Sequence, residues 1–432
     1  MKYKSISKDV AIITILALSM AIGSYQLSGW LNDQMQNMLV YVNDLWFDAD
    51  VYRIYYVMTD RMSVENDRST THPLFAIIAY PTMQAMTSIL GIGPPRALRL
   101  LVAISAALWI VCLYSTMRLI DCKKFDATVF SVLAASSSSS IFWFAIPETF
   151  AMGSISILVS LAFIAFTRFK NINLIWYVIL NIFTLSITIT NWIAGLTVTY
   201  IKLSFRKFMV TIALALTIAL CLWLIQTVLF PSAHQLVSNE SGYILMTQAG
   251  GVINSLQAIL VHSMIAPALL LRNGLGIVSG ELILSFQGAT LGSGSVWGAI
   301  AVIPWIFLLC LGVRSFFIAN IDPGFRLTLV IILIVQVLLH LIYGSEVFLY
   351  SLHFLPLIII FASLTTLTRY RKVALVLALL LIPLAFMNNG AQFKKSGICL
   401  GKLRLQTALS EDEQKMLKNS PMGFDSEYRC GI

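Results

Sequence analysis

A repeated pattern of long apolar segments and short polar ones constrains this chain more than any other sequence feature. Residues 97–120, 149–166 and 296–313 are each long enough, as a helix, to cross the hydrocarbon core of a bilayer. Hydrophobic residues make up 58% of the 432 positions and charged residues only 11%, which excludes the soluble globular classes. The sequence therefore predicts an all-α, polytopic transmembrane helical bundle with about eleven to thirteen spans.

The basic residues indicate how this bundle is oriented. The net charge is +9, but the lysines and arginines form short clusters between apolar segments. This distribution is typical of cytoplasmic loops and not of nucleic-acid binding, so we expect no nucleic-acid partner. The clusters assign residues 30–72, residues 231–295 and the C-terminal tail to the non-cytoplasmic side.

The first three apolar segments conflict with this rule. The N-terminus is basic, and so is the turn at Lys123 and Lys124, which assigns both to the cytoplasm. Three crossings would place the N-terminus and this turn on opposite sides of the membrane. Three apolar segments nevertheless lie between them: 10–30, 73–92 and 97–120. Either residues 73–92 re-enter, or Arg96 and Arg99 mark a cytoplasmic turn and Lys123-Lys124 is an exception to the rule.

The domain organisation follows from the same segments. We expect a transmembrane domain at residues 1–388, which includes a first outer loop at residues 30–72 and a long outer loop at residues 231–295. A polar tail follows at residues 389–432. Cys399 and Cys430 share that tail and could pair if it lies outside the cytosol. The other four cysteines have no ligand spacing and are interpreted as small hydrophobic residues.

The first outer loop concentrates charged residues. Seven of the twenty carboxylates lie there: Asp33, Asp44, Asp48, Asp50, Asp60, Glu65 and Asp67. Arg53 and Arg61 lie among them, and His72 closes the loop. A lipid-embedded protein that gathers its acids and arginines in one water-facing loop places its chemistry there, unless the loop is only a solvated surface.

Apolar residues within this loop follow a helical spacing. The stripe with i, i+3, i+4 and i+7 spacing contains Val51, Ile54, Tyr55, Met58 and Met62. Charged residues fall away from that stripe on the same helical wheel. The pattern predicts a short interfacial helix whose apolar side faces the acyl chains and whose charged side faces water.

Further polar residues are assigned to the same side of the membrane. Glu148 follows Pro147 at the end of an apolar segment, where it is either functional or a helix-start acid. Glu346, Tyr350 and His353 have i, i+4 and i+7 spacing, which predicts one polar helix face lining a cavity. Arg272, with His262, offers positive charge in the long outer loop.

These residue types favour one kind of chemistry. The sequence contains no GxGxxG and no HExxH motif, so we expect neither a metal nor a cofactor. A carboxylate can activate an acceptor hydroxyl, and arginines can bind the phosphate that leaves a phospholipid-linked sugar. Carboxylates that could act in this way include Asp50, Asp48 and Glu148. The expected substrate-binding residues are Asp44, Arg53, Arg61, His72, Arg272, Glu346, Tyr350 and His353.

These motifs resemble a known family. An N-terminal span, the early aspartates in Trp46-Phe47-Asp48-Ala49-Asp50, then His72-Pro73-Leu74 and Pro147-Glu148 are similar to the GT-C superfamily of polyprenyl-phosphate-sugar-dependent glycosyltransferases. The resemblance implies an inverting transferase whose first-loop aspartate is the catalytic base, with Asp50 favoured over Asp48. It also implies a polyprenyl-phosphate-linked sugar donor and a glycan or lipid-linked oligosaccharide acceptor.

A narrower resemblance concerns architecture. The chain length and the lack of a large soluble C-terminal domain are similar to bacterial O-antigen-modifying glucosyltransferases. This implies a multi-pass protein of the bacterial inner membrane with its active site facing the periplasm. Two alternatives stay open: an O-antigen polymerase or ligase, and a transporter or flippase without chemistry. A transporter would show inverted repeats and charges in mid-span, and the sequence shows neither convincingly.

Overall fold

The computed structural model describes residues 3–36, 44–233, 244, 251–273 and 282–407. Within them the chain forms fifteen α-helices and one antiparallel pair of short strands. The helices are α1 Tyr3–Gln34, α2 Val51–Thr59, α3 Phe75–Leu90, α4 Pro94–Leu119, α5 Lys124–Ala135, α6 Ser138–Trp143, α7 Thr149–Phe166, α8 Leu174–Ile187, α9 Trp192–Lys202, α10 Phe205–Leu229, α11 Gly251–Gln257, α12 Val296–Ile318, α13 Pro323–Ile342, α14 Ser351–Ser363 and α15 Arg371–Thr407. The strands are β1 Leu270–Asn273 and β2 Leu282–Ser285. The predicted all-α bundle is confirmed.

Eight helices of the described chain are long and apolar enough to cross a membrane, which makes the protein a multi-pass membrane protein. They lie in α1, α4, α7, α10, α12, α13, residues Val347–Leu367 and α15. The remaining apolar segments of the predicted eleven to thirteen spans are shorter or interrupted. Helices α3, α8 and α9 have only 16, 14 and 11 residues. The segment at 127–146 breaks at Ser136 and Ser137, between α5 and α6.

The packing of α1 against α4 resolves the conflict in the order of the first segments. Asp9, near the start of α1, accepts a hydrogen bond from Arg118 Nε at 2.9 Å, near the end of α4. Towards the other end of α1, Arg99 Nη2 donates to the Tyr25 carbonyl at 3.1 Å. Helices α1 and α4 are therefore antiparallel, so α1 ends on the side where α4 begins. Residues 73–92, which lie between these two helices in the sequence, do not make a net crossing.

A re-entrant segment fills the break between α5 and α6. Helix α11 and a following π-helical turn end at His262, after which the chain turns back towards β1. The Ser139 N–H donates to the Ser263 carbonyl at 3.1 Å, and Asn389 Nδ2 donates to the Met264 carbonyl at 2.8 Å. Irregular backbone inside a membrane protein requires such partners because lipid supplies none. The five consecutive serines therefore have a packing role.

The last helix crosses the predicted domain boundary at residue 388. Helix α15 continues to Thr407, and Asn388 and Asn389 are buried against the re-entrant segment instead of opening a polar tail. Sequence polarity was misleading here because these amides bond to buried backbone groups. Cys399 is disulfide-bonded. Cys430 lies outside the described residues.

Candidate functional site

The helix predicted in the first outer loop is present as α2. Its buried residues are Val51, Ile54, Val57 and Met58. Met62, which the spacing assigned to the same stripe, lies beyond the end of the helix and is 64% exposed. The stripe is therefore one turn shorter than predicted, because the chain leaves the helix at Asp60. Its position in the membrane interface stays a prediction.

A tightly turned segment, residues 44–50, precedes α2 and positions Asp48 and Asp50. Asp44, Phe47 and Asp48 all have φ between 53° and 64°, a left-handed conformation that costs non-glycine residues of order 1–3 kcal/mol each. Burial of Trp46 and Phe47 offsets this cost. The Phe47 ring contacts the rings of four other buried aromatic residues: Phe142, Trp143, Phe286 and Phe348. Asp44 closes the turn, since its carbonyl accepts from the Asp48 N–H at 2.8 Å.

Asp50 and Arg53 form the centre of the first polar cluster. The Arg53 guanidinium lies between two carboxylates, with Nη1 3.1 Å from Asp50 Oδ1 and Nε 3.1 Å from Glu65 Oε2. All three side chains are about one-quarter exposed. The short i, i+3 pairing within α2 orients Arg53 towards Asp50, and Glu65 holds it from the following 3-10 turn. The predicted catalytic Asp50 and the predicted phosphate-binding Arg53 are thus in direct contact.

Glu148 joins this cluster from the start of α7. Its Oε2 accepts from the Asp50 backbone N–H at 3.2 Å, and its Oε1 accepts from the Thr149 N–H at 2.7 Å and the Thr149 hydroxyl at 2.9 Å. The side chain is buried. Burial, and secondarily the charge of Asp50, raise the pKa of Glu148 to about 7. Glu148 is therefore both a helix cap and a carboxyl group that can hold a proton near neutral pH.

A small, partly open cleft adjoins the cluster. Its polar lining includes Arg53, Glu65 and His72, and its apolar lining consists of Ile54, Val57, Phe75 and Ala76. The His72 ring is oriented by the Ile187 carbonyl, 2.7 Å from Nδ1. Gln226 from α10 completes the lining and ties the start of α3 in place, since its Nε2 donates to the Pro73 carbonyl. The cleft is thus lined by both charged and apolar side chains.

Asp48 belongs to a second polar cluster. Its Oδ2 accepts from the Ser345 hydroxyl at 2.7 Å, and Arg272 Nη1 lies 3.5 Å from the Ser345 carbonyl. The neighbouring Glu346 is buried and accepts from the Ser285 hydroxyl on β2. Burial raises the pKa of Glu346 to about 7. Asp48 and Asp50, two residues apart, therefore serve different clusters.

Glu346, Tyr350 and His353 do not form the single helix face that their spacing predicted. Glu346 precedes the 3-10 turn Val347–Tyr350, and α14 begins only at Ser351. Glu346 therefore faces β2, whereas Tyr350 and His353 face α7 and α13. The Tyr350 ring stacks on His340 at 4.4 Å, and the His353 ring lies 5.3 Å from Phe150. A helical wheel is valid only along continuous helix, and here the helix is interrupted.

One further predicted residue lies outside the site, and the structure adds five polar residues that the sequence analysis did not identify. Arg61 is exposed and lies outside the cleft lining. Gln226, Gln336 and His340 were missed, although each is a polar residue inside an apolar segment, a pattern that marks function or pairing. Ser285 and Ser345 carried no sequence signal. Among the described residues, no group of three or more His, Cys, Asp or Glu side chains could hold a metal ion.

Comparison with known proteins assigns no family to this chain. No model of a known protein family matches the chain, and no curated protein matches it. The function that follows is therefore inferred from the side chains and their geometry.

Proposed function

We propose that this protein is an inverting membrane glycosyltransferase that moves a sugar from a polyprenyl-phosphate donor to a hydroxyl group of a glycan or lipid-linked acceptor. The observation that carries the proposal is the contact of Asp50 with Arg53 and Glu148 beside a cleft that is mostly apolar but includes the Arg53 side chain in its lining. Such a donor has an apolar chain and an anionic phosphate, and the acceptor hydroxyl needs a base. The apolar lining of the cleft suits the chain, Arg53 suits the phosphate, and Asp50 suits the role of base.

In the proposed reaction Asp50 is the base. The acceptor oxygen attacks the anomeric carbon, its proton passes to Asp50, and the bond from that carbon to the phosphate oxygen breaks. Inversion follows because attack and departure occur on opposite faces of the sugar. Glu148 supports this role, since burial raises its pKa to about 7 and it can therefore hold a proton near neutral pH beside Asp50.

Arg53 is the proposed partner of the leaving phosphate. In the structure it contacts Asp50 and Glu65, so the phosphate must replace one of these carboxylates on the guanidinium. Glu65 is the one to be displaced, because Asp50 must stay beside the reacting hydroxyl. A charge-assisted bond from Arg53 then offsets the negative charge that develops on the phosphate. The apolar residues of α2 and α3 in the cleft would contact the polyprenyl chain.

The proposed site faces the periplasm of a bacterial inner membrane. Two observations support this orientation. The basic residues Arg118 and Lys124 lie at the opposite end of the bundle, where positive charge marks the cytoplasm. Cys399 is disulfide-bonded, as expected in an oxidising compartment, and neighbouring Gly397 lies against Trp30 near the end of α1. Glucosylation of O-antigen is the narrower form of the proposal.

The decisive experiment compares single aspartate replacements in cells. Asp50→Asn should preserve expression and membrane insertion but reduce sugar transfer at least a hundredfold, because the amide cannot accept the proton. Asp48→Asn tests the second-ranked base. Asp67→Asn is the matched control, since Asp67 is an exposed aspartate of the same loop.

Mass spectrometry of the cell-surface glycans is the measurement. One added hexose per repeat unit that depends on Asp50 supports the transferase. Changed chain length without an added sugar would instead indicate a polymerase or ligase. Full transfer by both Asp50→Asn and Asp48→Asn would exclude the assigned base.

A further inference from the structure

Two arginines, Arg314 and Arg369, converge on one tyrosine ring at the end of the bundle opposite the cleft. The guanidinium carbons of this arginine pair lie 4.8 Å and 5.0 Å from the centroid of the Tyr370 ring. Arg369 Nη2 also donates to the Tyr370 hydroxyl at 2.8 Å. Arg314 lies near the end of α12, whereas Arg369 and Tyr370 lie just before α15. Since both cations lie within 5.0 Å of the same point, they are at most about 10 Å apart.

The ion pairs of neighbouring residues show where the arginine pair lies along the bundle. Helix α7 begins at the cleft, where Glu148 precedes it, and just beyond its other end Arg168 pairs with Asp121 at 2.7 Å. Arg371, the first residue of α15, pairs with Asp126 in the first turn of α5 at 2.6 Å. Asp121 and Asp126 are close in the sequence. The arginine pair therefore lies at the end of the bundle that is away from the cleft.

The carboxylates at this end are all occupied by other basic residues. Each described acid of this region forms an ion pair of 3.8 Å or less: Asp9 with Arg118 and Lys124, Asp121 with Arg168, Asp126 with Arg371, and Asp322 with Lys202. Arg314 and Arg369 are exposed, and neither forms an ion pair within the part of the chain that the structure describes. Two like charges at this separation, about one Debye length, repel each other. The described acids do not neutralise them, so an external anion is favoured at this position.

Exposed apolar side chains extend from the arginine pair along two antiparallel helices. The Ser295 hydroxyl, at the start of α12, donates to Asn388 Oδ1 in α15 at 2.7 Å, whereas the end of α12 meets the start of α15 at Tyr370. At helical spacing from the pair, the exposed apolar residues are Phe307 and Cys310 on α12 and Val373, Val376 and Leu380 on α15. Both helices are long and apolar enough to span the membrane, so these side chains face lipid. A ligand here meets two cations at the membrane surface and hydrocarbon beside them.

We propose that the arginine pair binds the phosphate of an anionic phospholipid in the leaflet at this end of the bundle. Guanidinium groups bind phosphate oxygens through paired, charge-assisted hydrogen bonds. Stacking on Tyr370 occupies the faces of the guanidinium groups and not the N–H groups at their edges. The exposed apolar residues beside the pair contact the acyl chains, which inorganic phosphate lacks. Basic sites between transmembrane helices bind lipid head groups in this way. The site uses no residue of the proposed glycosyl transfer.

Native mass spectrometry of the intact protein tests the proposal. The protein is released from nanodiscs that contain equal amounts of anionic phosphatidylglycerol and zwitterionic phosphatidylcholine, and the lipids that stay bound are identified by mass. We expect wild type to retain phosphatidylglycerol in preference to phosphatidylcholine. Each arginine near the membrane surface strengthens the binding of an anionic lipid about fivefold, so the Arg314→Gln/Arg369→Gln variant should retain about thirtyfold less phosphatidylglycerol.

A second double variant separates a specific site from general positive charge. Arg206→Gln/Lys207→Gln removes the same charge from two exposed residues in the first turn of α10. These residues lie at the same end of the bundle, because Lys202 pairs with Asp322 just after α12. We expect this variant to retain phosphatidylglycerol as wild type does. Equal losses in the two double variants, or equal retention of both lipids by wild type, would overturn the proposal.

Replacement of Tyr370 tests the geometry without a change in charge. Tyr370→Leu removes the ring that brings the two cations together, so it should lower the retention of phosphatidylglycerol about fivefold. Tyr370→Phe keeps the ring and should lower it less. Wild-type retention by Tyr370→Leu would contradict the site. Release of the bound lipid by inorganic phosphate would indicate a site for free phosphate and would overturn the lipid assignment.

Discussion

Replacing Glu148 with glutamine should change how the stability of the protein depends on pH. Burial and the nearby Asp50 raise the pKa of Glu148 from 4.5 to about 7. Since one pKa unit corresponds to about 1.4 kcal/mol, the folded state opposes ionisation of this group by about 3 kcal/mol. The folded protein therefore binds the proton more tightly than the unfolded chain. Its free energy of unfolding falls as the pH rises from about 4.5 to 7 and levels off above that range.

Glutamine is neutral at every pH, so the Glu148→Gln variant lacks this fall. Below pH 5 wild type and variant both carry a neutral side chain, and their stabilities should differ by no more than a lost hydrogen bond, about 1 kcal/mol. At pH 8 the variant should be the more stable by about 2–3 kcal/mol. Burial raises the pKa of Glu346 to about 7 as well, so Glu346→Gln should remove a second, similar part of the decline.

Unfolding of the detergent-solubilised protein between pH 4.5 and 8.5 measures this effect. The exposed Asp67→Asn variant serves as the control and should follow the wild-type curve. A Glu148→Gln curve that runs parallel to wild type over the whole range would refute the reasoning. Glu148 would then ionise as easily in the folded protein as in the unfolded chain, and its proposed role beside Asp50 would lose its basis.

Three other predictions test the fold and its orientation in the membrane. Gly344→Ala should destabilise the protein by about 1–3 kcal/mol in thermal unfolding, because position 344 has φ +93° and its Cβ would lie 2.6 Å from Tyr350 Cε2; an unchanged Tm would contradict this loop conformation. The helical Gly390→Ala, with open space at the Cβ, should be neutral or slightly stabilising. In intact cells a membrane-impermeant maleimide should label the Val64→Cys variant but not the Lys123→Cys variant. Val64 is a 75% exposed residue of the first outer loop. Labelling of both variants, or of Lys123→Cys alone, would contradict the proposed orientation.

Local sequence rules succeeded where each residue's environment depends on near neighbours. The spacing of Val51, Ile54 and Met58 was enough to predict α2, because an amphipathic helix needs only one apolar side. The same rule failed at Glu346 and His353, because a 3-10 turn between them changes the direction of the chain. Likewise, the amides at Asn388 and Asn389 indicated a solvated tail, although both are buried in α15.

The sequence by itself determined the all-α membrane class and the segment in which acids and arginines gather. Bilayer thickness sets helix length, and charge is excluded from lipid, so both features depend on composition along the chain. Only the tertiary structure decided that Asp50 meets Glu148 while Asp48 meets Ser345. That division depends on left-handed turns held by packed aromatic rings from distant helices, and contacts between residues so far apart are not encoded in any local pattern.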